Sequence, residues 1–347
     1  MVDITELKGS LYRVNNKENE NVEIINMDGN VQTISDNDNL LDIDDIFYPR
    51  DGEIRIIHKG DNTHMTLFVT NQCNSNCIMC PDSENVRRIH NTITYQGLVE
   101  RIKLFPQNIY SVDVTGGEPT LLKEMFPELL AQIFEKYPDV ELLALSNGRS
   151  FADKTYTEHF SQFNNKSMRI EIPMHSHWEA RHDLISGDIG SFKQTIKGIK
   201  NLHNVGIEVG IRIVVSKLNA YQLSELIDFI SLEFPFVHYV NIMGMEVMGN
   251  AFKNKDKVWI EYEELKPVLE QTIEKAIRNG IETRLYNFPL CAIGKKYWAC
   301  YRKSITPSKI RYQEACDACE LKSYCGGFFA STIANTEFKV KPFRRNE

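Results

Sequence analysis

Residues 66–83 read TLFVTNQCNSNCIMCPDS. The first five, Thr66 to Thr70, are apolar or β-branched and read as a strand. Cys73, Cys77 and Cys80 follow at once, spaced C-x3-C-x2-C. Clustered cysteine thiolates hold iron–sulfur clusters, usually four to a cluster. Three in one loop leave one iron without a protein ligand and open to a small molecule. A zinc knuckle is one alternative, but it wants a second cysteine pair or histidines further on, and no fourth ligand lies nearby. Three reduced surface thiols are the other.

The chain beyond this stretch decides how the loop is mounted. From residue 65 strand and helix patterns alternate. The strands read Thr66–Thr70, Ser111–Thr115, Val140–Leu145, Met168–Met174, Ile207–Val215 and Val237–Met243. The helices read Thr94–Phe105 (Thr94 as N-cap), Leu121–Tyr137, Lys154–Phe163, Gly190–Val205 and Ala220–Phe234. Such alternation predicts a parallel sheet with helices outside it and right-handed crossovers. Six units fall short of a closed eightfold barrel. The expected fold is therefore α/β, an open, partial (β/α)6 TIM-like barrel. In such sheets ligands sit at the carboxyl ends of the strands. The cysteine loop, Gly116-Gly117-Glu118-Pro119, Ser146-Asn147-Gly148 and His175-Ser176-His177 all follow strands, so they should share one mouth.

Residues 9–60 carry short β-like pieces (Ser10–Val14, Val22–Asn26, Val31–Ile34, Glu53–Ile57) between turn signals at 28–30, 36–39 and 51–52, which predict a small β-rich module. Residues 251–285 read as a linking helix, Tyr262–Arg278 with Gly280 beyond its end, and a strand, Ile281–Leu285. From 286 the chain is turn-rich and carries the other five cysteines, and the basic stretch Lys339–Arg345 reads as a mobile tail. The expected domains are 1–62, 63–250, 251–285 and 286–347.

Charge and composition narrow the function. The formal net charge of −7 argues against a nucleic-acid footprint. Residues 1–60 hold 13 acidic and 6 basic side chains, so the surplus is confined to the first module. It suits either a solvated face or a basic partner such as a basic leader peptide. No apolar run reaches the ~18 residues of a membrane span, and the first residues are polar, so the expected location is cytoplasmic. In a reducing compartment eight cysteines point to metal ligation, not disulfides. They fall into two groups, 73/77/80 and 291/300/316/319/325, with 210 residues between.

The turn Gly116-Gly117-Glu118-Pro119 permits close backbone approach, and its glutamate can accept from an ammonium group. With the C-x3-C-x2-C loop before it, this resembles the radical SAM superfamily over about residues 65–245. The resemblance implies a [4Fe-4S] cluster on Cys73, Cys77 and Cys80, with S-adenosylmethionine chelating the open iron. It implies Gly116, Gly117 and Glu118 at the methionyl amino group, Met79 where the family has an aromatic residue near the adenine, and Ser146 and Asn147 lining the cofactor. It suggests His175 at the ribose and Arg212 at the cofactor carboxylate, although Arg212 reads equally well as a solvated arginine.

The distal cysteines resemble a SPASM/twitch extension. That implies one auxiliary [4Fe-4S] cluster on Cys291, Cys316, Cys319 and Cys325, with Cys300 left over as a packed thiol beside Tyr297 and Trp298. A zinc ribbon needs a second tight pair that is absent. The strings LSNGR (145–149), ARHD (180–183), FVHYVNIMGME (236–246), YNFPLC (286–291) and CDACELKSYCGGFF (316–329) are similar to the His-Xaa-Ser system radical SAM maturases of the HxsC type. This implies a ribosomally made precursor peptide as substrate, an electron donor such as flavodoxin or ferredoxin, and a second radical SAM maturase as partner. The competing readings are a radical SAM enzyme acting on a small molecule or a folded protein side chain, and an iron–sulfur carrier or scaffold without turnover. His175, His177 and His182 invite a metal-site reading, but their spacing fits no single helix face and suits a hydrogen-bonded barrel mouth.

Overall fold

The structure is a computed structural model that describes residue 7 and residues 10–36, 38–51, 53–88 and 93–344. The turn position Gly52 and the tail residue Arg345 lie outside the described residues. The strands are β1 Tyr12–Glu18, β2 Asn21–Asn26, β3 Val31–Ser35, β4 Ile46–Arg50, β5 Glu53–His58, β6 His64–Phe68, β7 Ser111–Thr115, β8 Glu141–Leu145, β9 Met168–Pro173, β10 Glu208–Val214, β11 Tyr239–Met243, β12 Glu282–Tyr286, β13 Tyr301–Arg302, β14 Ile310–Arg311 and β15 Phe328–Phe329. The α-helices are α1 Glu84–Arg88, α2 Tyr95–Leu104, α3 Met125–Lys136, α4 Lys154–Glu158, α5 Glu179–Ser186, α6 Ser191–Asn204, α7 Leu223–Glu233, α8 Gly249–Lys253, α9 Lys255–Val258, α10 Tyr262–Arg278 and α11 Ala330–Asn335. The fold is α/β: β6 to β13 make a curled, parallel half-barrel sheet in chain order, beside an antiparallel N-terminal module. Among the described residues no helix is long and apolar enough to cross a membrane.

The chain divides into two compact units. One holds 1–70, 91–145 and 162–168. Its antiparallel sheet runs β3-β2-β1-β4-β5. Alternation puts Tyr12, Val14, Val22, Ile24, Ile34 and Phe47 into one buried cluster and leaves polar residues outside. β6, β7 and β8 pair in parallel, His64 opposite Ser111 and Ser111 opposite Glu141. α2 starts where Thr94 caps it, its side chain accepting from the Gly97 N–H at 3.1 Å. The single helix expected over 121–137 is broken. A 3-10 turn, Pro119–Leu122, ends at Lys123 with φ of 54°, and α3 begins two residues later.

The other unit holds 71–90, 146–161 and 169–347. Here β9 to β13 pair in parallel. The strand expected in the linking segment is part of this sheet: β12 aligns with β11 from Tyr239–Glu282 to Met243–Tyr286. α10 buries Tyr262, Leu265, Leu269, Ile273 and Ala276, the three- and four-residue spacing of one helix face. α5 occupies the ARHD string, outside the helices expected from the sequence.

Candidate functional site

The cysteine loop is held mainly by its backbone. The N–H groups of Asn76 and Ile78 donate to the carbonyls of Ser186 and Ile185, at 3.0 and 2.9 Å. Gly187 makes that approach possible: its φ is +69°, and a Cβ there would overlap the Asn76 carbonyl. From the other side, the Asn250 and Ala251 N–H groups in the first turn of α8 donate to the Cys80 carbonyl at 2.9 and 3.2 Å. These are the N–H groups that a helix start leaves unpaired. The Asn254 amide reaches the Ile78 carbonyl at 3.2 Å.

Two arginines complete the mount. Arg149 Nη1 donates to the Asn74 carbonyl at 2.5 Å, to Ser75 Oγ at 2.9 Å and to Asp188 at 2.9 Å. Arg87, from α1, donates to the Ser75 carbonyl at 2.7 Å and to Asn76 Oδ1 at 2.5 Å. Asn147 Nδ2 donates to Asn74 Oδ1 at 2.6 Å, so the turn after β8 touches the loop directly.

None of the eight cysteines is in a disulfide. Burial pushes the Cys77 thiol up to about 12, and the neighbouring Cys80 and Cys73 push it the same way. Burial also raises Cys80, against the opposing pull of Arg87. A buried thiol flanked by two others, as Cys77 is, resists ionisation unless a cation compensates, which is the service of a bound iron cluster. The donor set therefore fits the cluster. Among the described residues no His, Cys, Asp and Glu side chains come together tightly enough for a single metal ion.

The other expected residues sort as follows. Met79 is buried with Ile185, Met245, Ala251 and Val258, packing beneath the loop. Ser146 Oγ accepts from the Gly148 N–H at 3.1 Å. His175 is buried, its Nδ1 has no hydrogen-bond partner, and its backbone N–H donates to His182 Nδ1 at 3.3 Å. Burial, with His182 beside it, pushes His175 down to about 3, and burial takes His182 to about 4. Both are neutral, hydrogen-bonded or ring-packed histidines.

By register, Glu171 and Gly210 share one face of the sheet, as do Arg212, Asn241 and Arg284. Apolar residues such as Ile172, Ile211, Val240 and Leu285 alternate with them. A polar face on a parallel sheet is unusual, because such strands are normally buried on both sides. Arg212 lies 3.6 Å from Glu171 and against the Met243 sulfur, and Glu171 accepts from Asn241 Nδ2 at 2.7 Å.

Gly116, Gly117 and Glu118 belong to the first unit. A Cβ on Gly116 would lie 2.5 Å from the Thr70 carbonyl, and the Gly117 N–H donates to that carbonyl at 2.6 Å. Glu118 is fully buried and caps the 3-10 turn, Oε1 accepting from Thr120 N–H and Oγ1 at 3.1 and 2.7 Å.

A second site lies wholly in the second unit. Cys291, Cys316, Cys319 and Cys325 line one cavity of about 250 Å³, and Cys300 does not. After burial, Cys325 and Cys316 raise the Cys291 thiol, which stands at about 11, while Cys325 and Cys319 raise Cys316. Cys300 is raised by burial, and its charged neighbours are Arg302 and Glu282. These four are the cysteines that the resemblance to a SPASM/twitch extension implies as ligands. Sequence reading missed Arg87, Asn250 and Asn254. Arg149 stood in the LSNGR string without a role, and nothing in the sequence ties Asn250 to a loop 173 residues away.

Residues 67–230 match the model of the radical SAM superfamily. That superfamily uses a [4Fe-4S] cluster with S-adenosylmethionine, and the match is to these residues of the chain. Among curated relatives, the sporulation killing factor maturation protein SkfB of Bacillus subtilis is 28% identical over 163 residues, covering 47% of this chain and 38% of that one. The GTP 3',8-cyclase of Sulfurimonas denitrificans is 25% identical over 215 residues, 61% of this chain and 64% of that one. The matches thus span less than two thirds of either relative. Streptococcus suis SuiB, solved with precursor peptide SuiA, aligns with a TM-score of 0.51 at 16% identity, over 69% of this chain and 50% of that one. That likeness is one of fold.

Proposed function

We propose that this chain is an S-adenosylmethionine-dependent radical enzyme that modifies a ribosomally made precursor peptide, as a maturase of the His-Xaa-Ser type. The reading rests on one observation above all: Cys73, Cys77 and Cys80 stand together, with Cys77 raised by the other two, in a loop pinned from both α5 and α8. Held by Cys73, Cys77 and Cys80, a [4Fe-4S] cluster supplied with an electron would, with S-adenosylmethionine, provide radical chemistry for taking a hydrogen atom from substrate. The chain's own residues hold and orient. The three cysteines ligate the cluster, and Arg87 and Arg149 fix the loop that carries them. Gly116, Gly117 and Glu118 receive the methionyl amino group. Ser146, Asn147 and His175 line the nucleoside, Met79 packs beneath it, and Arg212 meets the carboxylate. Cys291, Cys316, Cys319 and Cys325 hold an auxiliary [4Fe-4S] cluster. The modules are 1–62, 63–250, 251–285 and 286–347. The protein works in the cytoplasm with an electron donor such as flavodoxin or ferredoxin and with a second maturase.

The peptide reading draws on a relative named for maturation of a sporulation killing factor and on a fold neighbour solved with its precursor peptide. A small-molecule substrate is the second reading, favoured by the likeness to a GTP 3',8-cyclase. Incubating the reconstituted protein with short peptides encoded beside its gene, and separately with GTP, decides between them. A peptide mass change coupled to 5′-deoxyadenosine supports the first. Turnover of GTP alone refutes it.

A further inference from the structure

The stretch expected to be a mobile tail is fastened across the auxiliary site. Phe338 is buried, 4.8 Å edge-on from Tyr262 and 5.7 Å from Phe328. Gln313 clasps the backbone twice: its Nε2 donates to the Phe338 carbonyl at 2.8 Å, and its Oε1 accepts from the Val340 N–H at 3.4 Å. The Glu320 N–H donates to the Phe343 carbonyl at 3.1 Å. The Phe343 ring meets Trp298 at 5.6 Å, with Lys295 Nζ 4.4 Å from its centroid.

One contact from this stretch reaches a ligand itself. The Phe343 N–H donates to Cys319 Sγ at 3.4 Å. Residues 340–344 form one wall of the cavity. Among the described residues, Lys266, Lys295, Lys322, Lys341 and Arg344 line that cavity, and no Asp or Glu does. A cubane held by four thiolates is anionic, so this wall matches it in charge. Hydrogen bonds to ligand sulfur, nearby charge and solvent exclusion set the potential of such a cluster.

We propose that residues 338–344 form a strap that completes the auxiliary-cluster site, closing it to water and setting its potential through the Phe343 N–H group and the Lys341 and Arg344 charges. The proposal rests on the auxiliary-cluster reading above. The strap is a positioning element: it acts on the cluster through the ligand sulfurs.

The test uses full-length protein with Cys73, Cys77 and Cys80 changed to alanine, reconstituted anaerobically so that only the distal site can hold iron. Phe343→Pro removes the N–H donor. Lys341→Gln with Arg344→Gln removes surface charge and leaves the packing intact. Each is followed by iron content, by EPR-monitored redox titration and by the rate of iron release to a chelator. Both variants are expected to bind about four iron atoms per chain, as one [4Fe-4S] cluster does. Phe343→Pro should release them on the order of tenfold faster, the scale seen when an outer-shell partner is lost. Both should titrate at more negative potential than the parent. Iron bound with release rates and potentials unmoved in both variants overturns the strap and leaves the cluster standing. No iron in the parent background overturns the auxiliary cluster, and the strap with it.

Discussion

Asn250 donates its side-chain amide to the Cys77 carbonyl at 3.0 Å, while its backbone N–H donates to the Cys80 carbonyl at 2.9 Å. One residue thereby fixes both halves of the C-x2-C turn. Asn250→Ala removes the side-chain bonds to the Cys77 carbonyl and to Asn76 Oδ1, while the Cys80 N–H still donates to that carbonyl at 3.1 Å, so the cost is about 0.5–1.5 kcal/mol. The expected outcome is a lower denaturation midpoint and faster loss of iron from the first cluster alone. Selective loss is read by comparing iron release with that of the Cys73/Cys77/Cys80 triple alanine variant.

Gly187 ends α5 in the left-handed region, directly over Asn76. Gly187→Ala adds backbone strain of roughly 1–2 kcal/mol before any overlap with the Asn76 carbonyl is counted. Urea denaturation should show at least that loss. An alanine variant as stable as the parent would mean that the α5 contact does not shape the loop.

Cys291 and Cys300 lie nine residues apart, yet only Cys291 faces the distal cavity. Cys291→Ala should reduce the iron held at the distal site, and Cys300→Ala should leave it unchanged. Iron and sulfide analysis in the triple alanine background separates the two. Equal losses would redraw the ligand set.

Acid should destabilise the second unit through its buried histidines. Burial holds His175 near 3 and His182 near 4 in the folded chain, against about 6.5 when unfolded. Asp183 opposes this shift at His182 and Arg149 reinforces it. The unfolded chain then binds more protons below pH ~6.5, so stability present above that pH is lost as pH falls toward 4, by at most about 1.4 kcal/mol per pH unit for each histidine. His58 is shifted the same way by burial. Urea midpoints at pH 7.5 and 5.0 should fall in the parent and fall less in His182→Gln. A parent midpoint indifferent to pH would refute the assignment of neutral histidines.

Much of this was legible in the sequence because local chemistry and tertiary context agree. Ser111–Thr115 alternates cleanly and is β7 without adjustment. Thr94 caps α2 as its side chain predicts, and Gly280 takes the left-handed φ of 72° expected beyond α10. The misses have physical reasons. β4 reads IFYPR, and its proline masks the strand signal. α5 carries His182 and Asp183 on a weakly apolar eight-residue stretch, so its burial beside the cysteine loop comes from tertiary contacts. The basic composition of 339–345 suggested mobility, but Phe338 and Phe343 anchor the stretch on aromatic neighbours far away in sequence. At the site the cysteines announced themselves by spacing. Arg87, Arg149 and Asn250 hold backbone atoms, and that task leaves no spacing signature.

The central claim is that Cys73, Cys77 and Cys80 hold a redox-active cluster beside S-adenosylmethionine. Its most direct test is 5′-deoxyadenosine release by anaerobically reconstituted protein given a strong reductant and S-adenosylmethionine, with the triple alanine variant alongside. The account predicts release from the parent and none from the variant, with iron per chain falling from about eight to about four, the difference of one [4Fe-4S] cluster. No release from an iron-replete parent, or equal release from the variant, would contradict it.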